Sequence, residues 1–280
     1  MSSLLEETLD NDYATMPDSC RQEIQAVRRE VENRWILTNL SNALITGKLS
    51  GTVNDVNLRE VTYNHLSSYI STARSLHPFT DEAFKLIASA EKIAKLREII
   101  VDPLVVTAAS DASPEKEKKP QINWNQVKKY SKELIDEVER PSSKLHKIIL
   151  TECKLCLDVA EDRLTRDSME QALTNGGPSG EPGRIVVTTM STHQLEKAYQ
   201  QAVRSSLKTD RAKQLLNICR SVQRLREALL RAESANTHRE VEVEAWKTIR
   251  SLLNEIDEAK KQQQNPYIGE VIGWEICNQE

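Results

Sequence analysis

The residues best able to do chemistry in this chain are Cys153 and Cys156, a C-x-x-C pair in "CKLC" with His146 seven positions upstream. Two thiolates and an imidazole suit zinc, and a C-x-x-C alone suits thiol–disulfide exchange. A structural zinc site needs four ligands, usually as a second pair. The remaining cysteines, Cys20, Cys219 and Cys277, stand singly. Small thiols are also favourable core residues, and that simpler role is the expectation here. The other histidines are His65, His77, His193 and His238, and no two of the five have the i, i+4 spacing of helical metal ligands. His65 and His193 fall near the starts of predicted helices, where a polar cap or surface role suffices. No metal and no cofactor are implied.

Nucleophilic and phosphate chemistry are equally poorly provided for. No serine sits in G-x-S-x-G, and no glycine-rich loop leads into Lys-Ser/Thr at a helix start. "GGPSGEPG" (176–183) is rich in glycine but has no lysine and two prolines. Proline removes the N–H groups that a phosphate cradle needs. The expectation is therefore a non-catalytic protein. A catalytic alternative would need a pocket joining polar groups such as Arg34 and Arg163.

Two segments suit binding better than catalysis. The first, "DRAKQLLNICRSVQRLREALLRAE" (210–233), carries Arg211, Lys213, Arg220, Arg224, Arg226 and Arg231 against three acidic residues. It is a basic amphipathic helix. Its Leu216-to-Leu229 interval resembles the anchor spacing of calmodulin targets. It also resembles an IQ motif loosely at Val222-Gln223, but Glu227 stands where a basic residue belongs. The plainer use is a solvated face with Arg220, Arg224 and Arg231 available to a partner. The second segment is the tail "NPYIGEVIGWEICNQE" (265–280), where Tyr267, Ile268, Val271, Ile272, Trp274 and Ile276 crowd together. Such a segment must be covered, by its own bundle or by a partner protein.

The elements that must position these residues follow from composition and repetition. Charged residues make up 29% of 280, with only 8 Gly, 9 Pro and 4% aromatics, which predicts a helix-rich chain. Net charge is −4 with both signs mixed, so an overall basic field for nucleic acid or anionic lipid is absent. No apolar run approaches a membrane span. The acidic start "MSSLLEETLDND" lacks the order of a secretory leader, and five sparse cysteines suit reduced thiols in the cytoplasm.

Sliding the chain by 129 positions brings "KLREII" (95–100) onto "RLREAL" (224–229). Ala43-Leu44 then meets Ala172-Leu173, Gly47 meets Gly176, Ser50-Gly51 meets Ser179-Gly180, and Thr80-Asp81 meets Thr209-Asp210. There are about 15 identities without a gap from Arg34 to Ile100, where average residue usage would give roughly 4. "WNQVKKYSKELIDEV" from Trp124 resembles "WKTIRSLLNEIDEA" from Trp246 at an offset of 122. In this register Cys153 stands on Ile24, Cys156 on Val27 and Cys219 on Ala90, which assigns all three thiols to core positions.

Each copy is read as four helices. The first starts after Pro17 with a Ser19/Gln22 capping box and buries Cys20, Ile24, Val27, Val31, Trp35/Ile36, Leu40 and Ala43/Leu44. Its counterpart starts near Ser142-Ser143 and stops at Gly176-Gly177. Thr62 and Ser191 cap the second helices; Thr80 and Thr209 cap the third. Leu96/Leu225 and Ile100/Leu229 lie in the buried stripe of the third helix, with Arg97/Arg226 and Glu98/Glu227 flanking it. The fourth are the Trp helices, about 123–139 and about 239–262.

The expected fold is all-α: two tandem related four-helix modules in an elongated helical-repeat or bundle arrangement, with coiled-coil-like packing. Residues 1–16 are an N-terminal tail, 17–140 module 1 with a charged linker at 106–121, 141–263 module 2, and 264–280 the apolar tail. The expected function is a protein–protein interaction scaffold or adaptor in the cytoplasm, in a cytoskeletal or ciliary setting. The alternative is a calmodulin-regulated cytoskeletal component acting through 210–232. Other proteins are the expected partners, with neither nucleic acid nor a membrane span.

Overall fold

The computed structural model describes residues 16–76, 80–109, 121–177, 190–205, 207–234, 247, 249–251 and 253–254. These residues are mostly helical, with no strand among them. The α-helices are α1 (Asp18–Ile45), α2 (Asn64–Ser75), α3 (Asp81–Ala109), α4 (Trp124–Val138), α5 (Leu150–Thr174), α6 (His193–Arg204) and α7 (Asp210–Ser234). Short 3-10 turns occupy Leu58–Glu60 and Lys147–Ile149. Residues 247, 249–251, 253 and 254 are also helical, within the range expected for the second Trp helix. No described helix is long and apolar enough to cross a membrane.

The chain divides into two compact units, Met1–Leu157 and Asp158–Glu280. The division falls inside α5, rather than at Pro141 where the sequence suggests it. In the first unit α1, α2 and α3 pack on one another and α4 packs on α3. The core is built by helical spacing: Ile36, Leu40, Leu66, Ala73, Ala83, Leu86, Ala90, Ile93, Leu96 and Ile100 are all at most 1% exposed. Each large one removes enough apolar surface from water to stabilise the unit by about 1.5–3 kcal/mol. In the second unit α6 packs on α7. Met169, Ala172, Leu173, Leu195, Ala198, Ala202, Leu215, Cys219 and Val222 form its core. A smaller cluster joins Ala228 to Ile249, with Leu225, Leu229 and Leu253 against it.

Both long leading helices end on a glycine in the left-handed region, Gly47 at φ 63° and Gly176 at φ 69°. Such a conformation after a helix frees the chain to turn back, and glycine adopts it without penalty. The turns close through Thr62 N–H to Gly47 O and Ser191 N–H to Gly176 O, both 3.1 Å. Thr62 and Ser191 therefore do not cap the second helices, as their residue type suggests. That position belongs to Tyr63 and Thr192, neither with a side-chain cap bond.

Three further expectations are corrected. Pro17, not Ser19, precedes α1, and its carbonyl accepts from Cys20 and Arg21 amides. A proline-fixed φ starts the helix without a side-chain cap, so the Ser19/Gln22 box does not form. The first turns of α1 lie outside the core: Cys20 is exposed and Val27 is 47% exposed. Finally, α3 continues to Ala109, past the predicted linker start at 106. Residues 110–120 lie outside the described residues.

Candidate functional site

The most elaborate polar constellation is built on the arginine of the repeated "LRE". Arg97 sits in α3 and is 1% exposed. It donates five hydrogen bonds: Nη2 to Leu44 O (2.6 Å), Nη1 to Thr46 O (2.9 Å) and Thr62 O (3.2 Å), Nε to Glu152 Oε1 (2.9 Å) and Nη2 to Glu152 Oε2 (3.0 Å). Leu44 and Thr46 are at the C-terminal end of α1, where orphan carbonyls and the negative helix pole attract a cation. Glu152, 4% exposed, binds the fork edge-on and also accepts from Leu49 N–H at 3.2 Å. The carboxylate thus neutralises a charge that would be costly to bury alone.

Arg226 in α7 does the same work for the end of α5. Its Nη2 donates to Leu173 O (2.8 Å) and its Nη1 to Asn175 O (3.1 Å) and Ser191 O (3.3 Å). Each acceptor lies 129 positions after the corresponding acceptor of Arg97. Arg226 is 4% exposed, and burial pulls its pKa below the ordinary arginine value. Among the described residues it has no carboxylate partner. Arg97 and Arg226 therefore do not flank the buried stripe; they lie inside it. Helical arithmetic held the signal. At about 100° per residue, Arg226 falls in the same arc as Leu215, Cys219 and Val222, roughly opposite Arg220 and Arg224.

A second paired motif fixes the start of the third helices. Thr80 Oγ donates to Asn33 Oδ1 (2.7 Å) and accepts from Ala83 N–H (3.2 Å). Thr209 Oγ donates to Asp162 Oδ1 (2.7 Å) and accepts from Ala212 N–H (3.1 Å). Asp162 is balanced by Arg166, whose Nε lies 3.0 Å from Oδ2 without hydrogen-bond alignment. The position of Arg166 corresponds to Leu37 in the first unit, where the acceptor is the neutral Asn33.

The thiols prove to be core. Cys153, Cys156 and Cys219 are at most 1% exposed. Burial, with the Glu152 charge second, pushes Cys153 up to about 12 and holds Cys156 well above its ordinary value. Burial raises Cys219 to about 12 as well. A thiol so held is a poor nucleophile and a poor metal ligand. Val27, which stands opposite Cys156 in the 129-position register, is exposed, so the burial of Cys156 does not follow from that match. His146 is committed locally: its Nδ1 accepts from Ile148 N–H (3.2 Å) and its backbone N–H donates to Ser89 Oγ (2.7 Å). Among the described residues no three His, Cys, Asp or Glu side chains converge as metal ligands would. Arg34 pairs with Glu30 at 2.6 Å on an exposed face.

A cleft of about 60 Å³ lies beside the Arg97–Glu152 pair, lined by Leu44, Ile45, Lys48, Ile148, Ile149, Thr151 and Glu152. It has room for a few waters, against the ~300–1,000 Å³ of a ligand pocket. On α7, Arg220, Arg224 and Arg231 are exposed along one face, with Arg211 and Lys213 paired to Glu170 and Asp210. The tail residues Tyr267, Ile268, Val271, Ile272, Trp274 and Ile276 lie outside the described residues. No family model, no curated protein and no solved structure matches the chain.

Proposed function

We propose that this chain is a non-catalytic interaction scaffold or adaptor built from two related helical modules, repeated at 129 positions. The observation that carries the reading is the pair of arginine clamps. Arg97 and Arg226 each donate to three main-chain carbonyls at matching positions, and Asn33/Thr80 is matched by Asp162/Thr209. Chance helical packing gives no reason for the same buried bonds to recur at one offset. Among the described residues the buried arginines Arg97 and Arg226 are engaged at helix ends, and long helices offer patterned faces to other proteins. The narrower form of the proposal is a cytoplasmic component in a cytoskeletal or ciliary setting.

The partner-facing surface is the Arg220, Arg224 and Arg231 face of α7, which suits an acidic protein segment. The test compares the natural chain with one carrying Arg220→Glu, Arg224→Glu and Arg231→Glu in proximity labelling. A defined set of neighbours should be lost on reversal while far-ultraviolet dichroism is unchanged. Identical neighbour sets would sink this surface as the binding face. The calmodulin reading of 210–232 makes a separate claim. It would require Ala212, Leu215, Cys219, Val222 and Arg226 to leave their present packing. Retention on immobilised calmodulin that depends on Ca²⁺ would favour it over the scaffold reading.

A further inference from the structure

One stretch of the leading helices is buried in the second copy of the repeat and bare in the first. Leu145, Ile149, Glu152, Cys153, Cys156 and Ala160 are all at most 5% exposed. Their counterparts 129 positions earlier are Met16, Cys20, Glu23, Ile24, Val27 and Val31. The apolar spacing is the same and the acid falls at the same place. Yet Cys20, Glu23 and Val27 are exposed, and Met16, Ile24 and Val31 are only half-buried. A regular apolar stripe left in water over several turns is a surface that association would cover.

The first unit shows what covers such a stripe. His146 N–H donates to Ser89 Oγ of α3 (2.7 Å), Arg97 of α3 grips Glu152, and the turn Lys147–Ile149 rests on α1. The equivalent edge of α7 is less covered. Ser89, Leu96 and Ile100 are at most 1% exposed, whereas their counterparts Ile218, Leu225 and Leu229 are half-buried. These three lie along one edge of the buried arc of α7, roughly opposite Arg220, Arg224 and Arg231.

The two bare surfaces match in detail. The bond between His146 and Ser89 loses both partners together: Pro17 has no N–H to donate and Ile218 no hydroxyl to accept. Such a paired exchange strands no polar group. Glu23 stands at the position of Glu152 and Arg226 at that of Arg97, so the charges correspond as well. The carbonyl bonds that Arg226 already makes are undisturbed by an added acid.

We propose that the Cys20, Ile24, Val27 and Val31 face of α1 docks on the Ile218, Leu225 and Leu229 edge of α7 in a second copy of this chain, head to tail. The inference rests on the reading of the chain as two related modules, and the chain itself is the partner. The contact is heterologous: two different faces meet, and an unclosed assembly keeps one unused face of each kind.

Sedimentation velocity of the full chain over a concentration series tests this. The average mass of the natural chain should rise with concentration. Val27→Glu should abolish the rise, while Val203→Glu, at a similarly exposed residue of α6, should leave it intact. Ile218→Glu should abolish it from the other face. An equimolar mixture of Val27→Glu and Ile218→Glu retains one working face of each kind, so it should regain association and stop at the dimer. If Ile218→Glu does not fold, Glu23→Arg decides in its place. It sets two guanidinium groups against each other and should weaken association about tenfold. A natural chain that stays monomeric, association untouched by Val27→Glu or by Glu23→Arg, or a mixture of folded variants that stays monomeric would each overturn the proposal. None of these outcomes bears on whether the Arg220, Arg224 and Arg231 face binds other proteins, so the two readings fail separately.

Discussion

At the scale of single residues, the decisive side chain is a buried arginine that ties off a helix. Arg97 holds the last carbonyls of α1 and is itself held by Glu152. Removing either member should not cost the same. Arg97→Met leaves a buried carboxylate and three orphan carbonyls, and should destabilise the first unit by about 3–5 kcal/mol. Glu152→Gln keeps an acceptor of similar shape and should cost about 1–3 kcal/mol. Urea midpoints at constant slope would measure both; equal losses would mean that the pair is not what holds the helix end. The sequence displays this arginine twice but disguises it. A charged residue beside an apolar stripe is normally solvated, and only its angular position within the buried arc betrays it. The raised thiols are likewise outcomes of burial, which residue type alone does not announce.

At the scale of elements, periodicity was a good guide to which helices exist and a poor one to how they begin. The third helices open at Thr80 and Thr209 as their residue types imply, because a Thr hydroxyl accepts the amide three residues on. Ser19, Thr62 and Ser191 looked equally suited and cap nothing. Proline already fixes the start of α1, and the other two are engaged through their backbones in the glycine turns. Those turns make a sharp prediction. A Cβ on Gly176 would come 2.9 Å from Ser191 O in a left-handed backbone, while one on Gly177 would meet only Arg226 Nη2 at an ordinary 3.6 Å. Gly176→Ala should cost about 1–3 kcal/mol and Gly177→Ala close to nothing. Thermal unfolding of both variants checks this, and similar losses would remove the turn from the account.

For the molecule as a whole, three buried thiols spread over both units set a limit on stability in alkali. Their folded pKa values are raised, to about 12 for Cys153 and Cys219. An unfolded cysteine loses its proton near pH 8.5–9. Below that range both states are thiols and nothing changes. Between about pH 9 and 12 the unfolded chain gains thiolates that the folded chain refuses, so stability should fall as pH rises. Ala in place of Cys153, Cys156 and Cys219 should flatten that fall in urea midpoints taken at pH 8 and 10.5. An unchanged slope would assign it to other groups. The mostly helical character of the described residues was plain from composition, while the proposed 129-position register rests on matched residues such as Gly47 and Gly176. The split inside α5 was not plain, because Pro141 is the stronger local punctuation. What overrides it is tertiary: Leu145, Ile149, Glu152, Cys153 and Cys156 bury with the first unit before the helix goes on.

The two threonine caps differ in a way that constrains how either could change. Asn33 serves Thr80 as a neutral acceptor, with Leu37 one turn on; Asp162 serves Thr209 as a charged one, with Arg166 one turn on. Converting one arrangement into the other takes two substitutions, and their order matters. Aspartate first would strand a buried anion beside leucine. Arginine first places a long, partly hydrated side chain beside an amide oxygen that can accept from it. The passable route therefore runs through the cation, and at these sites a substitution that is harmless in one genetic background is ruinous in another.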